Sequence, residues 1–386
     1  MTRRDERTTK KLRRRALEEG MEKRRMDIRV LIKDEVLAQK AYAVEHTACP
    51  IKLDANENPL AIPEPLRERF AARLASIPLN RYPEAGSPTL VGRFAKAFGV
   101  GEDQVILGNG SDELIQILCT AVARPGAEVM IPVPTFAMYR ISALNAGCRV
   151  AMVPLDREFD LDLAAMLARV ATNPPALTYL ASPNNPTGNC FRSERIETII
   201  EKFPGIIVVD EAYFHFSGRT FLPLMGRHRN LVILRTLSKV GLAAMRIGLL
   251  IGPPELVHEL NKVRLPYNMN ALSQAAAGFY LDHEDAFLKQ AEEIRRCRGE
   301  LFSAMEAIPG IHPRPTDANF IFFGCDFDAD RVYSHLMERG ILIKNFNTPG
   351  TLKNFMRVTV GTREENNRFI EALQAILLKV RSVVPI

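Results

Sequence analysis

The stretch LRTLSKVGLAAMRIG, Leu234 to Gly248, decides the fold. It lies between two short apolar runs, NLVILRT (230–236) and IGLLIG (247–252), that lack the polar alternation of a half-solvated strand. Runs apolar throughout are those of strands covered on both faces by helices. Four more precede them: QVILG (104–108), EVMIP (128–132), ALTYLAS (176–182) and GIIVVD (205–210). Amphipathic stretches such as SDELIQILCTAVA and RSERIETIIEKF lie between, so the chain reads as an α/β domain. The quoted stretch itself carries Arg235, Lys239 and Arg246 among small apolar residues. Either it is an ordinary helix whose cations reach water, or Lys239 is held in a nearly dry pocket because its amine is used.

Beyond about residue 280 the texture changes. A long charged helix, DHEDAFLKQAEEIRRCRGELFSAMEAI, is followed by ANFIFFG, a helix DADRVYSHLMERG, GILIKNF, NFMRVTVG and a closing helix REENNRFIEALQAILLKV. This reads as a second, smaller α+β domain. The expected division is a basic extension at 1–25, an arm and part of the small domain at 26–75, a large domain at 76–280 and a small domain at 281–386.

The 386 residues, 47% hydrophobic and 25% charged, suit a globular protein with a large core. No apolar run approaches the roughly 20 residues that span a bilayer, and no secretory signal is read at the N-terminus, so neither membrane nor secretion is expected. The six cysteines form no C-x-x-C pair. That favours a reducing cytoplasm over a zinc or disulfide scaffold. The net charge of +6 equals that of the first 25 residues, with 11 Lys/Arg against 5 Asp/Glu; the rest is neutral. The arm has no aromatics and no reading motif, so a solvated helix, or a start at Met26, is expected rather than nucleic-acid binding.

Residues suited to chemistry gather at the ends of the apolar runs, where open α/β sheets bind ligands. GNGSDE (108–113) is either a capped turn or a phosphate cradle. Glu113 stands where a dinucleotide fingerprint needs glycine. PVPTFAMY (132–139) presents Phe136 and Tyr139, and ASPNNPTG (181–188) orients Asn185, with Asn185–Pro186 a candidate cis bond. Asp210 ends an apolar run and needs a partner, and Tyr213 follows three residues on. Ser238 and Arg246 are phosphate-binding types flanking Lys239, whose amine would lose basicity among cations with little water. Together they describe a planar, phosphorylated ligand with a basic ring nitrogen and an aldehyde, which fits pyridoxal 5′-phosphate.

These motifs, with LDANENP, NRYPEAGSPTL, PYNMN and MRVTVGTREE, resemble in order those of the fold-type I aminotransferases, and most of all the histidinol-phosphate aminotransferase family. The likeness runs from about residue 28 to the C-terminus. It implies a large domain with a mostly parallel seven-stranded sheet covered by helices, a smaller α+β domain, pyridoxal 5′-phosphate as cofactor and a homodimer. It further implies that Lys239 bonds the cofactor and shuttles a proton, and that Asp210 holds the ring nitrogen. Tyr213 and Asn185 would then bond the ring hydroxyl, and Phe136 would stack on the ring. Ser111, Asp112, Ser238 and Arg246 would hold the phosphate, joined by Tyr82 from the other subunit. Arg357 and Lys344 would grip the substrate, with Asn58 and Tyr267 nearby. Lys344 stands where many relatives have arginine, and the seven-residue step from Lys239 to Arg246 is one shorter than in many.

The expected reaction is transfer from histidinol phosphate to 2-oxoglutarate in histidine biosynthesis. The rivals are an aromatic amino-acid transaminase or threonine-phosphate decarboxylase of the same fold, and a non-catalytic regulator whose basic arm binds DNA.

Overall fold

A computed structural model describes residues 28–41 and 49–383, with side chains as far as residue 378. The basic extension and the question of a start at Met26 lie outside the described residues. Residues 28–41 form a 3-10 turn, Ile28–Leu31, and one α-helical turn, Asp34–Leu37.

From residue 49 on, seven strands build the main sheet: β1 (Val105–Asn109), β2 (Glu128–Val133), β3 (Arg149–Pro154), β4 (Leu177–Ala181), β5 (Ile206–Asp210), β6 (Leu231–Thr236) and β7 (Ile247–Ile251). Their spatial order is β1-β7-β6-β5-β4-β2-β3, parallel except for β7, which runs antiparallel to both neighbours. Side chains part by period two. Val208 joins a core with the helices Ser111–Val122 and Ala137–Asn145, while Ile207 and Val209 join another with Leu163–Thr172 and Ser193–Lys202. Because both faces are covered, β4 and β6 are buried at every position, which is why they read as unbroken apolar runs.

Six of these strands match the apolar runs to within a residue or so at each end. The seventh, β3, is an edge strand whose burial alternates, and it begins at exposed Arg149. The segment after β6 is no ordinary helix. It makes two short turns, Ser238–Leu242 and Ala243–Met245, kinked at Gly241 (φ 114°), and ends with Arg246 in the left-handed region (φ 52°).

The C-terminal part folds around a four-stranded antiparallel sheet in the order Lys344–Asn345, Phe355–Thr359, Phe320–Cys325, Ile311–Pro313. The helices Glu284–Glu306, Ala329–Glu338 and Arg363–Val383 accompany it. Ile51–Lys52 pairs parallel with Ile341–Leu342, and Ile51 and Leu53 are buried in this C-terminal core. Among the described residues no helix is long and apolar enough to cross a membrane.

Candidate active site

Asp210 closes β5 at its carboxyl end and is 4% exposed. The Tyr139 hydroxyl donates to its Oδ2 at 2.7 Å, and the Ala212 N–H donates to its Oδ1 at 3.0 Å. Loss of water dominates: burial, with Asp112 and Glu211 adding repulsion, lifts the carboxyl from 3.8 to about 6 despite both donors.

Lys239 follows Ser238 just beyond β6 and is half-buried. Its Nζ donates to the Ala55 carbonyl at 3.3 Å and sits 5.9 Å from the centre of the Tyr213 ring. Burial first, then the nearby guanidinium of Arg357, lowers its pKa from 10.5 to about 8; Arg246 acts the same way, against Glu57 and Asp112. A sizeable fraction of such an amine is neutral near pH 7 to 8. Arg357 donates to the carbonyl of Asp54 and to Oδ1 of Asn185. The Tyr213 hydroxyl accepts from Asn56 Nδ2 at 2.9 Å, and burial raises its pKa. Asp54, Ala55 and Asn56 thus each contact one site residue.

An anion cradle forms where β1 meets β7. Gly108 and Gly248 are register partners, and Gly110 (φ 80°) leads into the helix that starts at Ser111. The backbones approach closely: a Cβ on Gly248 would lie 2.3 Å from the carbonyl carbon of Gly110 and 2.4 Å from the Ser111 nitrogen. A Cβ on Gly110 would strike the Arg246 guanidinium at 2.5 Å. Arg246 also pairs with Asp112 at 2.9 Å, which fixes it over the helix start. Across the kinked loop, the Ser238 hydroxyl accepts from Thr236 Oγ1 at 2.9 Å. Helix N–H groups, the Ser238 hydroxyl and a guanidinium make a site for a phosphate.

The other expected residues divide into two groups. The loops of Phe136 and Asn185 are tied through Asn184, whose amide donates to Pro134 O and Thr187 Oγ1 and accepts from Thr135. Phe136 meets Tyr139 edge-on, with centroids 5.6 Å apart. Asn185–Pro186 is cis, as are Ser182–Pro183 and Val133–Pro134. Lys344 is the register partner of Arg357 on the neighbouring strand. Asn185 and Lys344 thus adjoin Arg357, whose guanidinium acts on Lys239, and Phe136 adjoins Tyr139, the donor to Asp210. Asn58 spends its amide on Gln290 (3.0 Å) and on the Leu60 N–H (2.8 Å). Tyr82, 82% exposed, stacks on Tyr267 at 4.6 Å rather than on the residues around Lys239. Asn268, next to Tyr267, reaches the Leu107 carbonyl and Glu113 at the foot of the cradle.

Sequence reading passed over Asn56 and gave Tyr139 no partner. Asn56 is 2% exposed and left-handed (φ 54°), a conformation asparagine tolerates better than most residues, and an asparagine in LDANENP was the available signal. The residues fit pyridoxal 5′-phosphate on three counts: a helix start and a guanidinium so close to Gly110 that it has no room for a Cβ, a buried carboxylate suited to a basic nitrogen, and an amine of lowered basicity.

Residues 49–373 match the family model described as aminotransferase class I and II. Over 347 residues the chain is 45% identical to histidinol-phosphate aminotransferase 2 of Nitrosococcus oceani, covering 89% of this chain and 96% of that one. The histidinol-phosphate aminotransferase of Aquifex aeolicus is 40% identical over 354 residues, 91% and 99% of the two chains. Among solved structures, a putative histidinol-phosphate aminotransferase from Erwinia carotovora atroseptica superposes with a TM-score of 0.79 at 26% identity, covering 87% of this chain and 99% of that one. The enzyme from Sinorhizobium meliloti in complex with pyridoxal-5′-phosphate shares the fold, with a TM-score of 0.82 at 23% identity over 90% and 98% of the chains.

Proposed function

The chain belongs to the class I and II aminotransferases, and we propose from that premise that it transfers the amino group of histidinol phosphate to 2-oxoglutarate, using pyridoxal 5′-phosphate, in histidine biosynthesis. The observation that carries the reading is the half-buried amine of Lys239, which donates to the Ala55 carbonyl beside the Tyr213 ring and whose basicity burial and Arg357 lower. The substrate follows the names of the relatives that are 40–45% identical over about nine-tenths of the chain.

Bound pyridoxal 5′-phosphate supplies an electron sink that makes the α-proton of an amino donor removable. The chain's own residues do the rest. Asp210 would offer a buried anion to the ring nitrogen. Tyr213 and Asn185 would bond the ring hydroxyl, and Phe136 would supply an aromatic wall. Ser111 and Asp112 at the helix start, with Ser238 and Arg246, would hold the phosphate. Lys239 would hold the cofactor until the substrate's amine displaces it, and its freed amine would then move the proton to and from the substrate α-carbon, as an amine titrating near neutrality can. Arg357 and its register partner Lys344 offer adjacent positive charge to the substrate phosphate, with Asn58 and Tyr267 toward the rim.

We also propose a cytoplasmic homodimer in which Tyr82 serves the neighbouring subunit. The support is an apolar surface of Leu79, Tyr82, Leu265 and Tyr267, all at least 49% exposed. The division into a large domain at 76–280 and a small one at 281–386, with part of 26–75 joined to it, agrees with the pairing of Ile51–Lys52 and Ile341–Leu342.

The test is turnover of purified protein with histidinol phosphate, phenylalanine and threonine phosphate as separate amino donors. Transamination of histidinol phosphate at least tenfold faster than phenylalanine is expected. Decarboxylation of threonine phosphate, or preference for phenylalanine, would replace this reading with one of its rivals. Borohydride reduction followed by peptide mapping should label Lys239.

A further inference from the structure

We propose that Tyr139 is a positioning residue for Asp210: its hydroxyl, on a ring clamped against Tyr179, orients the carboxylate and keeps it ionised in a dry pocket. The inference rests on the reading of Asp210 as partner of the cofactor's ring nitrogen.

Tyr139 is 1% exposed, and its hydroxyl lies 2.7 Å from Asp210 Oδ2. Its ring lies flat on that of Tyr179, with centroids 4.5 Å apart and planes within 7°. Tyr179 is itself pinned. Its hydroxyl donates to the Ile115 carbonyl at 3.1 Å and contacts Cys119 Sγ at 3.4 Å. Ile115 and Cys119 belong to the helix that opens at Ser111. One aromatic pair therefore ties the carboxylate meant for the ring nitrogen to the helix whose start is meant for the phosphate. The two ends of the ligand are set relative to each other by protein, before the ligand arrives.

The chemistry of the donor matters as much as its place. Among the described residues no Lys, Arg or His pairs with Asp210. A cation there would neutralise the carboxylate and compete with a protonated ring nitrogen. A neutral O–H steadies the anion while leaving its charge for the ligand. Burial works against the anion, as do the carboxylates of Asp112 and Glu211; the Ala212 N–H and the Tyr139 hydroxyl work for it. Tyr179 and Tyr213 also sense the charge of Asp210. Removing the Tyr139 hydroxyl leaves the peptide N–H as the remaining donor, so the carboxyl takes up a proton at higher pH.

The experiment measures binding of pyridoxal 5′-phosphate by absorbance, between pH 5 and 8, to full-length protein stripped of cofactor. It compares the wild type, Tyr139→Phe and Tyr179→Phe. The Tyr139→Phe ring keeps the stack, so the stripped protein should fold, with a melting temperature little changed at pH 5, where the carboxyl is protonated in both proteins, and modestly lower above pH 7. Wild-type affinity should fall as pH drops through about 6. In Tyr139→Phe that fall should begin about one pH unit higher, with affinity reduced about fivefold at pH 6 and approaching tenfold at pH 5. Tyr179→Phe, which loses only the tie to the helix, should keep the wild-type midpoint. The cofactor's own titration is common to all three proteins. An unmoved midpoint in Tyr139→Phe, or an equal loss of affinity at every pH, overturns the inference alone. So does an insoluble Tyr139→Phe, because the chain is expected to fold without that hydroxyl. Wild-type protein that binds no pyridoxal 5′-phosphate overturns the reading of the site, and the inference with it.

Discussion

Replacing Lys239 by methionine should stabilise the cofactor-free protein while abolishing turnover. Methionine is nearly isosteric and keeps the contacts of the aliphatic stem, but it removes a cation that burial, Arg357 and Arg246 all disfavour. The native amine titrates at about 8 against 10.5 in an unfolded chain, so below pH 8 the folded state holds a proton it binds poorly. At about 1.4 kcal/mol per pH unit this is a cost of up to ~3 kcal/mol, and less once the hydrated part of a half-buried side chain is discounted. The hydrogen bond to the Ala55 carbonyl, 3.3 Å long, is lost in exchange, at about 0.5–1.5 kcal/mol. The net expectation at pH 7 is a gain of about 1–2 kcal/mol. The pH dependence is the sharper part. Between about 8 and 10.5 the unfolded chain binds the proton and the folded one releases it, so wild-type stability rises with pH across that window. The variant has no such group, and its advantage should therefore be full below pH 8 and gone above 10.5. Urea unfolding of both proteins at pH 7, 9 and 10.5 measures it. A methionine variant less stable than wild type at pH 7, or an advantage that does not decay with pH, would refute the electrostatic account of Lys239.

Asp210→Asn should lower turnover by about 10²–10³-fold, the range for loss of one preorganised electrostatic contact. Because the native carboxyl titrates at about 6, above its ordinary 3.8, its burial costs stability above that pH. The melting temperature at pH 7.5 should hold or rise, and a marked fall would contradict this. Gly248→Ala should cost about 1–3 kcal/mol and weaken cofactor binding at least tenfold, since the new methyl lands within 2.4 Å of the Gly110–Ser111 backbone. Unchanged thermal stability and unchanged cofactor titration would show that the strands can part without loss. Glu211 is bound by Arg235 at 2.9 Å, by Thr220 and by the Phe221 N–H, wholly away from solvent. Glu211→Ala should therefore cost about 3–5 kcal/mol, because it strands a buried guanidinium. The double variant Glu211→Leu/Arg235→Met should recover most of that in urea unfolding. A single variant of wild-type stability would mean the arginine escapes to water.

How much could be read before folding followed from what kind of information each feature carries. β4, β5 and β6 declared themselves because a strand covered on both faces has no polar side to hide its pattern. β3 did not, because an edge strand exposing Arg149, Met152 and Pro154 resembles the loops around it. Lys239, Asp210 and Arg246 stood out as charges in apolar surroundings, where an unpaired ion is too costly to be accidental. Asn56 and Asn58 stand two residues apart in one motif. What separates them is a left-handed turn at Asn56, which sends that amide to Tyr213 and leaves the next asparagine to Gln290. Composition carries no trace of that choice.

The least legible part of the site is its backbone. Lys239 and Arg357 are cations close enough to depress the basicity of the amine, and the groups they address here are two consecutive carbonyls, of Ala55 and Asp54. Those carbonyls are held in place by the C-terminal sheet. Thr359 N–H donates to Leu53 O at 2.8 Å, its hydroxyl accepts from Asn56 N–H at 3.0 Å, and Asn319 donates to Asn56 O at 3.1 Å. A carboxylate in the same place would have neutralised the pair and returned the amine toward its ordinary basicity. A carbonyl is dipole enough to accept from both cations but too weak to cancel their repulsion, so it leaves in place the lowering that burial, first, and Arg357, second, impose on the amine. The two cations are thus received by atoms that every residue possesses, positioned by hydrogen bonds to Thr359 and Asn319, more than 260 residues further along the chain.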